Sequence, residues 1–352
     1  MKRMYYPISI KSYKKNICSE SKYKDLQKDW NMLRKSIIIT CATKGISRYK
    51  AKKVFPPYIN RILLCNFSKL NEIFNYCDYL EPYEKELAKC IFNYDFRASV
   101  AGIPQDKSYL KKIKGISTRS ETIADFFMKP EFNKIITTCL YCDTNYINAY
   151  PLIKISKNKK TRKRQFELDH FFEKEKCPIT ALSLFNLIPS CKICNGKSIK
   201  GSTPLHEFYE INQKNYNFTY FSPSSIDYQF EQNVKIRVFP NKGKNWNPKI
   251  GFVAHSSDYH IKFITKSKIY RKEINAFLLE DRYNYSNNKN EALNLLDLKQ
   301  KYSDANIDLI AKTLAKHGIS IPATEIKEAI FHQRADKENH RIFGKMKDDI
   351  LQ

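Results

Sequence analysis

Two C-x-x-C pairs constrain this chain more than any other feature: Cys139-Leu140-Tyr141-Cys142 and Cys191-Lys192-Ile193-Cys194, with 48 residues between them. Two residues between thiolates let both sulfurs reach one tetrahedral ion, and two such pairs complete a closed four-thiolate zinc site. The competing reading, four ordinary core cysteines, does not explain why the remaining six (Cys18, Cys41, Cys65, Cys77, Cys90 and Cys177) stand singly. A redox role needs only one pair and a thioredoxin-like setting, which this chain lacks. The separation exceeds that of a simple zinc ribbon, so a folded insert is expected between the knuckles. A closed ligand set makes the ion structural, and any chemistry must come from other residues.

The chain's 352 residues suggest two domains, or one large domain with additions. Its 62 Lys and Arg outweigh 36 Asp and Glu, a formal charge of +26. That excess argues against a purely small-molecule enzyme and for a polyanionic partner, with nucleic acid first. Part of it reflects coding bias, because 49 Lys stand against 13 Arg in a chain rich in Asn, Ile and Tyr, as an AT-rich genome would encode. No apolar run approaches the roughly 20 residues that span a bilayer. The start, MKRMYYPISIKSYKK, has no continuous apolar segment and no small-residue cleavage site. A cytoplasmic, reducing location away from membranes is therefore expected, where ten cysteines bind metal or fill the core and form no disulfide framework.

Four regions follow along the chain. Residues 1–138 read as a helical N-terminal region, with apolar stripes over Ser68–Cys77 and Tyr83–Tyr94, short helices over Thr122–Met128 and Glu131–Thr138, and breaks at Pro56-Pro57 and Gly102–Gly115. This layer shows packing and no chemistry. Residues 139–212 hold both knuckles and the insert. Residues 213–266 form a small β-rich extension, with strands expected within Asp227–Phe239 and Tyr259–Thr265 and a turn at Asn241–Asn245. Residues 267–352 are helical again; Gly318 ends one helix and Pro322 begins the next.

Within the insert stand Phe166-Glu167-Leu168-Asp169-His170, then Phe185-Asn186-Leu187-Ile188-Pro189-Ser190, then Cys194-Asn195-Gly196-Lys197. Two short apolar stretches bounded by loops predict two strands followed by a helix. Neighbouring side chains on a strand point to opposite faces. Asp169 and His170 can serve one site only if the strand ends or twists between them, and that is the expectation. Taken singly, an Asp-His dipeptide is a turn or a surface pair, and Asn186 or Asn195 is a cap or turn residue. Their joint spacing with the knuckles raises the functional reading above these.

The arrangement C-x-x-C, L-D-H, N-L-I-P-S-C-x-x-C-N and G-K resembles the HNH nuclease family, in the version whose cysteine pairs bracket the ββα-metal core. The resemblance covers about 70 of the 352 residues and rests on four cysteines and four catalytic-type residues matching together. It implies an α+β protein: a zinc-stapled ββα-metal (HNH) nuclease core with a helical N-terminal region and a C-terminal sheet-plus-helix region. It implies that Asp169 and Asn195 bind one divalent cation, Mg2+ or Mn2+, that His170 is the general base, and that Asn186 orients the His170 loop. Phosphodiester hydrolysis needs a Lewis acid and a base titrating near neutrality, and a carboxylate with an amide oxygen is a hard donor set. Where many members carry His at the first or last motif position, this chain has Asp169 and Asn195, which favours magnesium over softer ions.

Seven basic residues, Lys154, Lys157, Lys159, Lys160, Arg162, Lys163 and Arg164, come without an acidic one between the expected strand at Leu152–Ile155 and the strand ending at Asp169. They are expected at a hairpin tip beside the site, following a phosphate backbone; the competing reading is a solvated loop. Lys197 and Lys200 are equally phosphate contacts or solvated lysines. His206, His255, His260, His317, His332 and His340 lack metal-type spacing. The expected function is a metal-dependent endonuclease acting on DNA. As implied by the resemblance alone, the setting is bacterial anti-phage defence or restriction, beside an ATPase as in Septu-type systems. Two alternatives stand: a nucleic-acid-binding zinc module with a dormant nuclease site, and an RNase toxin on the same core.

Overall fold

Leu26, Trp30, Leu33, Ile37 and Cys41 recur every three or four residues, and a long helix buries all five side chains completely. The computed structural model describes residues 3–4, 6, 12–17, 20–93, 107, 116–117, 120–133, 136–148, 153–156, 159–161, 164–197, 199–200, 221–243, 256–331 and 342–351. The chain divides into two units, one of Arg3–Ile136 with Ile147–Tyr228, the other of Met1–Lys2, Thr137–Tyr146 and Gln229–Gln352.

The first unit opens with helices α1 (Ser12–Ile17), α2 (Glu20–Thr43), α3 (Arg48–Val54), α4 (Asn60–Leu63), α5 (Phe67–Tyr76) and α6 (Pro82–Ile91). Two residues, β1 (Phe92–Asn93), pair in parallel with β2 (Ile116–Ser117), and α7 (Ser120–Phe127) and α8 (Pro130–Asn133) follow. Local chemistry sets several starts. The Ser47 and Asn66 side chains accept from the third backbone N–H beyond them, and Glu81 forms a capping box with Glu84 ahead of α6. Glu84 is fully buried between α2 and α6, where Ser36 and Thr40 donate to its Oε1 at 2.6 and 2.9 Å and the Glu81 N–H donates to its Oε2. A buried carboxylate so satisfied fixes how the two helices meet. Of the expected helix over Glu131–Thr138, α8 covers the described Glu131–Asn133, the Ile136 N–H donates to the Phe132 carbonyl at 2.7 Å, and Thr138 pairs in an antiparallel bridge with Tyr146. Most of Gly102–Gly115 lies outside the described residues.

Later in this unit, β3 (Ile153–Ser156) and β4 (Lys159–Thr161) form one antiparallel hairpin, while β5 (Glu167–His170) and β6 (Leu187–Ser190) form another, closed by the one-turn helix α9 (Lys192–Asn195). The basic run is thus not a tip joining a strand to β5. Lys154, Lys159 and Lys160 lie in a separate hairpin, because β5 takes β6 as its partner. Lys157, Arg162 and Lys163 lie outside the described residues.

The second unit contains α10 (Phe230–Asn233), then β7 (Lys235–Pro240) paired antiparallel with β8 (Tyr259–Ile264) in unbroken register. Ile236, Val238, Tyr259, Ile261 and Phe263 alternate inward, giving the small sheet that the sequence predicts. Helices α11 (Lys268–Ala276), α12 (Leu279–Asn284), α13 (Ser286–Lys301), α14 (Asp304–Lys316), α15 (Ala323–Ile330) and α16 (Gly344–Leu351) complete it. Gly318, at φ +80°, ends α14 and Pro322 caps α15, both as expected. Buried Lys345 on α16 pairs with Asp349 at 2.8 Å, and Asp349 also accepts the Ile236 N–H at 2.7 Å, tying α16 to β7. No helix among the described residues is long and apolar enough to cross a membrane.

Candidate metal centre and active site

The sulfurs of Cys139, Cys142, Cys191 and Cys194 all lie within 4.8 Å of one another, and all four residues are buried. Zinc–sulfur bonds of about 2.3 Å at tetrahedral angles put sulfurs about 3.8 Å apart, so four thiolates gathered this closely could hold a metal such as zinc. Backbone and side-chain donors already face these sulfurs. The Thr144 hydroxyl donates to Cys142 Sγ at 3.1 Å, the Asn145 amide nitrogen approaches the same sulfur at 3.7 Å, and the Cys194 N–H donates to Cys191 Sγ at 3.4 Å. Such donors fix the orientation of the sulfurs within the cluster. The single cysteines differ. Burial pushes the Cys65 thiol up to about 12 and the Cys41 thiol up to about 11, as for protonated core side chains. Cys77 and Cys177 are buried as well, and Cys18 lies outside the described residues.

Next to the second knuckle, β5 and β6 pair Glu167 with Ser190, Leu168 with Pro189, Asp169 with Ile188 and His170 with Leu187. Of the two expected forms, an end or a twist, the strand does not end between Asp169 and His170; His170 is its last residue. It runs through His170 because the following turn is pinned one step later. Asn186, fully buried at the end of a 3-10 turn just ahead of β6, accepts the Phe172 N–H on Oδ1 at 2.8 Å. Its Nδ2 donates to the carbonyls of Phe172 and Thr180 at 3.1 and 3.2 Å, and its own carbonyl accepts the Phe171 N–H. Along β5 Leu168 and Asp169 are both buried while Glu167 and His170 are half-buried, a departure from strict alternation.

Each side chain has a definite partner. His170 Nε2 meets the carbonyl oxygen of Ala181 at 3.0 Å. A carbonyl only accepts, so Nε2 carries the ring proton and Nδ1 bears the lone pair of the neutral ring. Asp169 is buried, and its Oδ1 accepts from the Lys200 ammonium at 2.5 Å. Asn195 donates through Nδ2 to Glu167 Oε2 at 2.9 Å, which turns its amide oxygen away from that carboxylate. Gly196, immediately after α9, lets the chain double back: a Cβ there would stand 2.5 Å from the Lys192 carbonyl oxygen.

The α1–α5 layer builds the wall behind this turn. Phe67 on α5 lies against Phe171 and Phe172, with ring centres 4.9 and 5.2 Å apart, and Phe74 lies 4.7 Å from Phe172. The Tyr13 hydroxyl donates to the Leu182 carbonyl and the Ser183 hydroxyl to the Ile62 carbonyl, both at 2.8 Å. The segment presenting Ala181 to His170 is therefore held from α1, α4 and α5.

The structure brings the four cysteines together, seats Asn186 on the turn after His170, and gives Asp169 a lysine partner and Asn195 a glutamate partner. Lys200, read from the sequence as either a phosphate contact or a solvated lysine, is buried against Asp169, whereas Lys197 is exposed. Arg164 stacks over Phe166 at 5.6 Å. The sequence reading missed Glu167, which the i, i+2 alternation around Asp169 would have disclosed. It also missed the Ala181 carbonyl, which no side-chain pattern reveals. Compared with protein-family models, with curated proteins and with solved structures, the chain matches none.

Proposed function

We propose that this chain is a metal-dependent HNH endonuclease that hydrolyses phosphodiester bonds, acting on DNA, with His170 as general base. The observation that carries the reading is the fixed imidazole: Nε2 is tied to Ala181, and the turn behind the ring is locked by Asn186. A base held in one tautomer and one orientation is what proton abstraction from an attacking water requires. In this reading Nδ1 of His170 takes the proton, and Asn186 is a positioning residue.

Asp169 and Asn195 would hold the divalent cation. The donor set fits Mg2+ or Mn2+: a carboxylate, plus an amide oxygen left outward by the Glu167 contact, are both hard oxygens. When bound, the ion supplies Lewis-acid stabilisation of charge on the phosphate oxygens. Asp169 is buried, and Lys200 is its charge partner in this structure. In the nuclease reading, a cation held by Asp169 would take the place of the Lys200 charge, and Lys200 would then be available to a phosphate.

One observation favours the second reading, a nucleic-acid-binding zinc module with a dormant site: the Lys200 ammonium already neutralises Asp169. A cleavage assay on supercoiled plasmid and on RNA, with Mg2+, Mn2+ or neither, separates the readings. Cutting that requires the added ion and disappears in Asp169→Asn supports the nuclease; binding without cutting in any ion supports the module; cutting of RNA alone supports the RNase toxin. The assignment to anti-phage defence beside an ATPase subunit rests on the family resemblance, and co-purification with an ATPase encoded nearby tests it.

A further inference from the structure

From Trp30 to Asn71 the chain has nine basic residues and no acidic one, and within that stretch α3 and the turn before α4 present cations and aromatic rings together. Arg48, Lys52, Lys53 and Arg61 are exposed, as are Tyr49 (79 %) and Tyr58 (57 %). Neighbouring lysines find carboxylates: Lys44 pairs with Glu81 and Lys69 with Glu72, both at 2.6 Å. Arg48, Lys52, Lys53 and Arg61 pair with no carboxylate among the described residues.

The backbone beneath this face is rigidly fixed. Arg34 donates to the carbonyls of Phe55 and Lys52, and Lys69 donates to the Lys53 carbonyl, so basic side chains from α2 and α5 close the C-terminal end of α3. Around Tyr58, Trp30 donates to the Pro56 carbonyl, and Gln27 donates to the Pro57 carbonyl and accepts the Ile59 N–H. Arg61 lies over the Tyr58 ring at 5.7 Å. A turn held this firmly still turns Tyr58 out to solvent with Arg61 over its ring, and α3 just before it carries exposed Tyr49 and three cations with no carboxylate partner among the described residues. The segment thus has the two components of a single-strand platform: charge for the backbone and rings for unpaired bases.

We propose that the exposed face of α3 and the Pro57–Arg61 turn binds single-stranded nucleic acid, with Arg48, Lys52, Lys53 and Arg61 on phosphates and Tyr49 and Tyr58 stacked on bases. The site deepens the proposed nuclease reading by naming where a substrate strand is held, and it is tested by binding alone, so either reading can fail without the other. It lies outside the basic hairpin singled out from the sequence.

The test is fluorescence anisotropy of a labelled single strand of about 20 nucleotides, long enough to cover a platform of this kind, DNA and RNA in separate arms, with the full-length zinc-loaded His170→Ala protein to prevent cutting. Arg48→Gln/Lys52→Gln/Lys53→Gln should weaken binding at least about tenfold and flatten the slope of log affinity against log salt by about 2, since each phosphate contact contributes about 0.7 for single strands. Tyr49→Ala/Tyr58→Ala should weaken binding by about 5- to 100-fold with the slope retained, and a duplex of the same sequence should be indifferent to the tyrosines. These substitutions are on the surface, and unchanged circular dichroism and melting show that the fold is intact. The proposal is overturned if both variants bind like the parent, or if Lys242→Gln/Lys312→Gln/Lys316→Gln, three exposed lysines elsewhere, weakens binding as much.

Discussion

At Asn186 a single carboxamide satisfies the Phe172 N–H and two carbonyls inside a fully buried turn. Alanine there strands those groups away from water, at a cost of about 2–3 kcal/mol. Asn186→Ala should therefore unfold at lower urea concentration, and its loss of cleavage should exceed what the unfolded fraction explains, because the His170 ring loses its backing. The thiols divide by reactivity in the same way. With Cys65 pushed up to about 12 and Cys41 up to about 11, neither ionises appreciably at a pH of about 8. Brief alkylation at that pH should leave both unmodified whether or not metal is present. Cys139, Cys142, Cys191 and Cys194 should be protected in the metal-loaded protein and modified after chelation. Modification of Cys65 before the four would contradict the division into structural and ligand cysteines.

The β5–β6–α9 element shows how far sequence reasoning reaches. Its two strands and helix were legible because short apolar runs end in loops, and the knuckle spacing was legible because thiolate geometry dictates it. The turn after His170 was not: the strand continues through that residue, and Asn186 holds the chain at Phe171 and Phe172, contacts between residues 14 or 15 apart. Nor was the partner of Lys200, which depends on how tightly the chain reverses at Gly196. Gly196→Ala places a methyl 2.5 Å from the Lys192 carbonyl oxygen, so the turn must open. We expect a lower melting temperature and, under the nuclease reading, weaker Mn2+ binding by calorimetry, as Asn195 shifts away from Glu167. Wild-type melting and metal affinity would show that the reversal has slack.

Over the full chain, the helical layer that the sequence marked as packing without chemistry supports the segment carrying Ala181, through Tyr13, Ile62 and Phe67. Long-range contacts of this kind leave no periodic signature. The charge excess did leave one, although not which cations stay unpaired. If the four-cysteine cluster holds a structural ion, one zinc per chain should be found by elemental analysis, and its removal should lower the melting temperature, because metal binding and folding are linked. The proposed chemistry turns on His170. Single-turnover cleavage of plasmid DNA by zinc-loaded wild type and His170→Ala, at saturating Mn2+, measures its role directly. We expect the variant to be at least about a hundredfold slower while melting and binding DNA like the wild type; equal rates for the two proteins, or no cleavage by the wild type, would contradict the assignment.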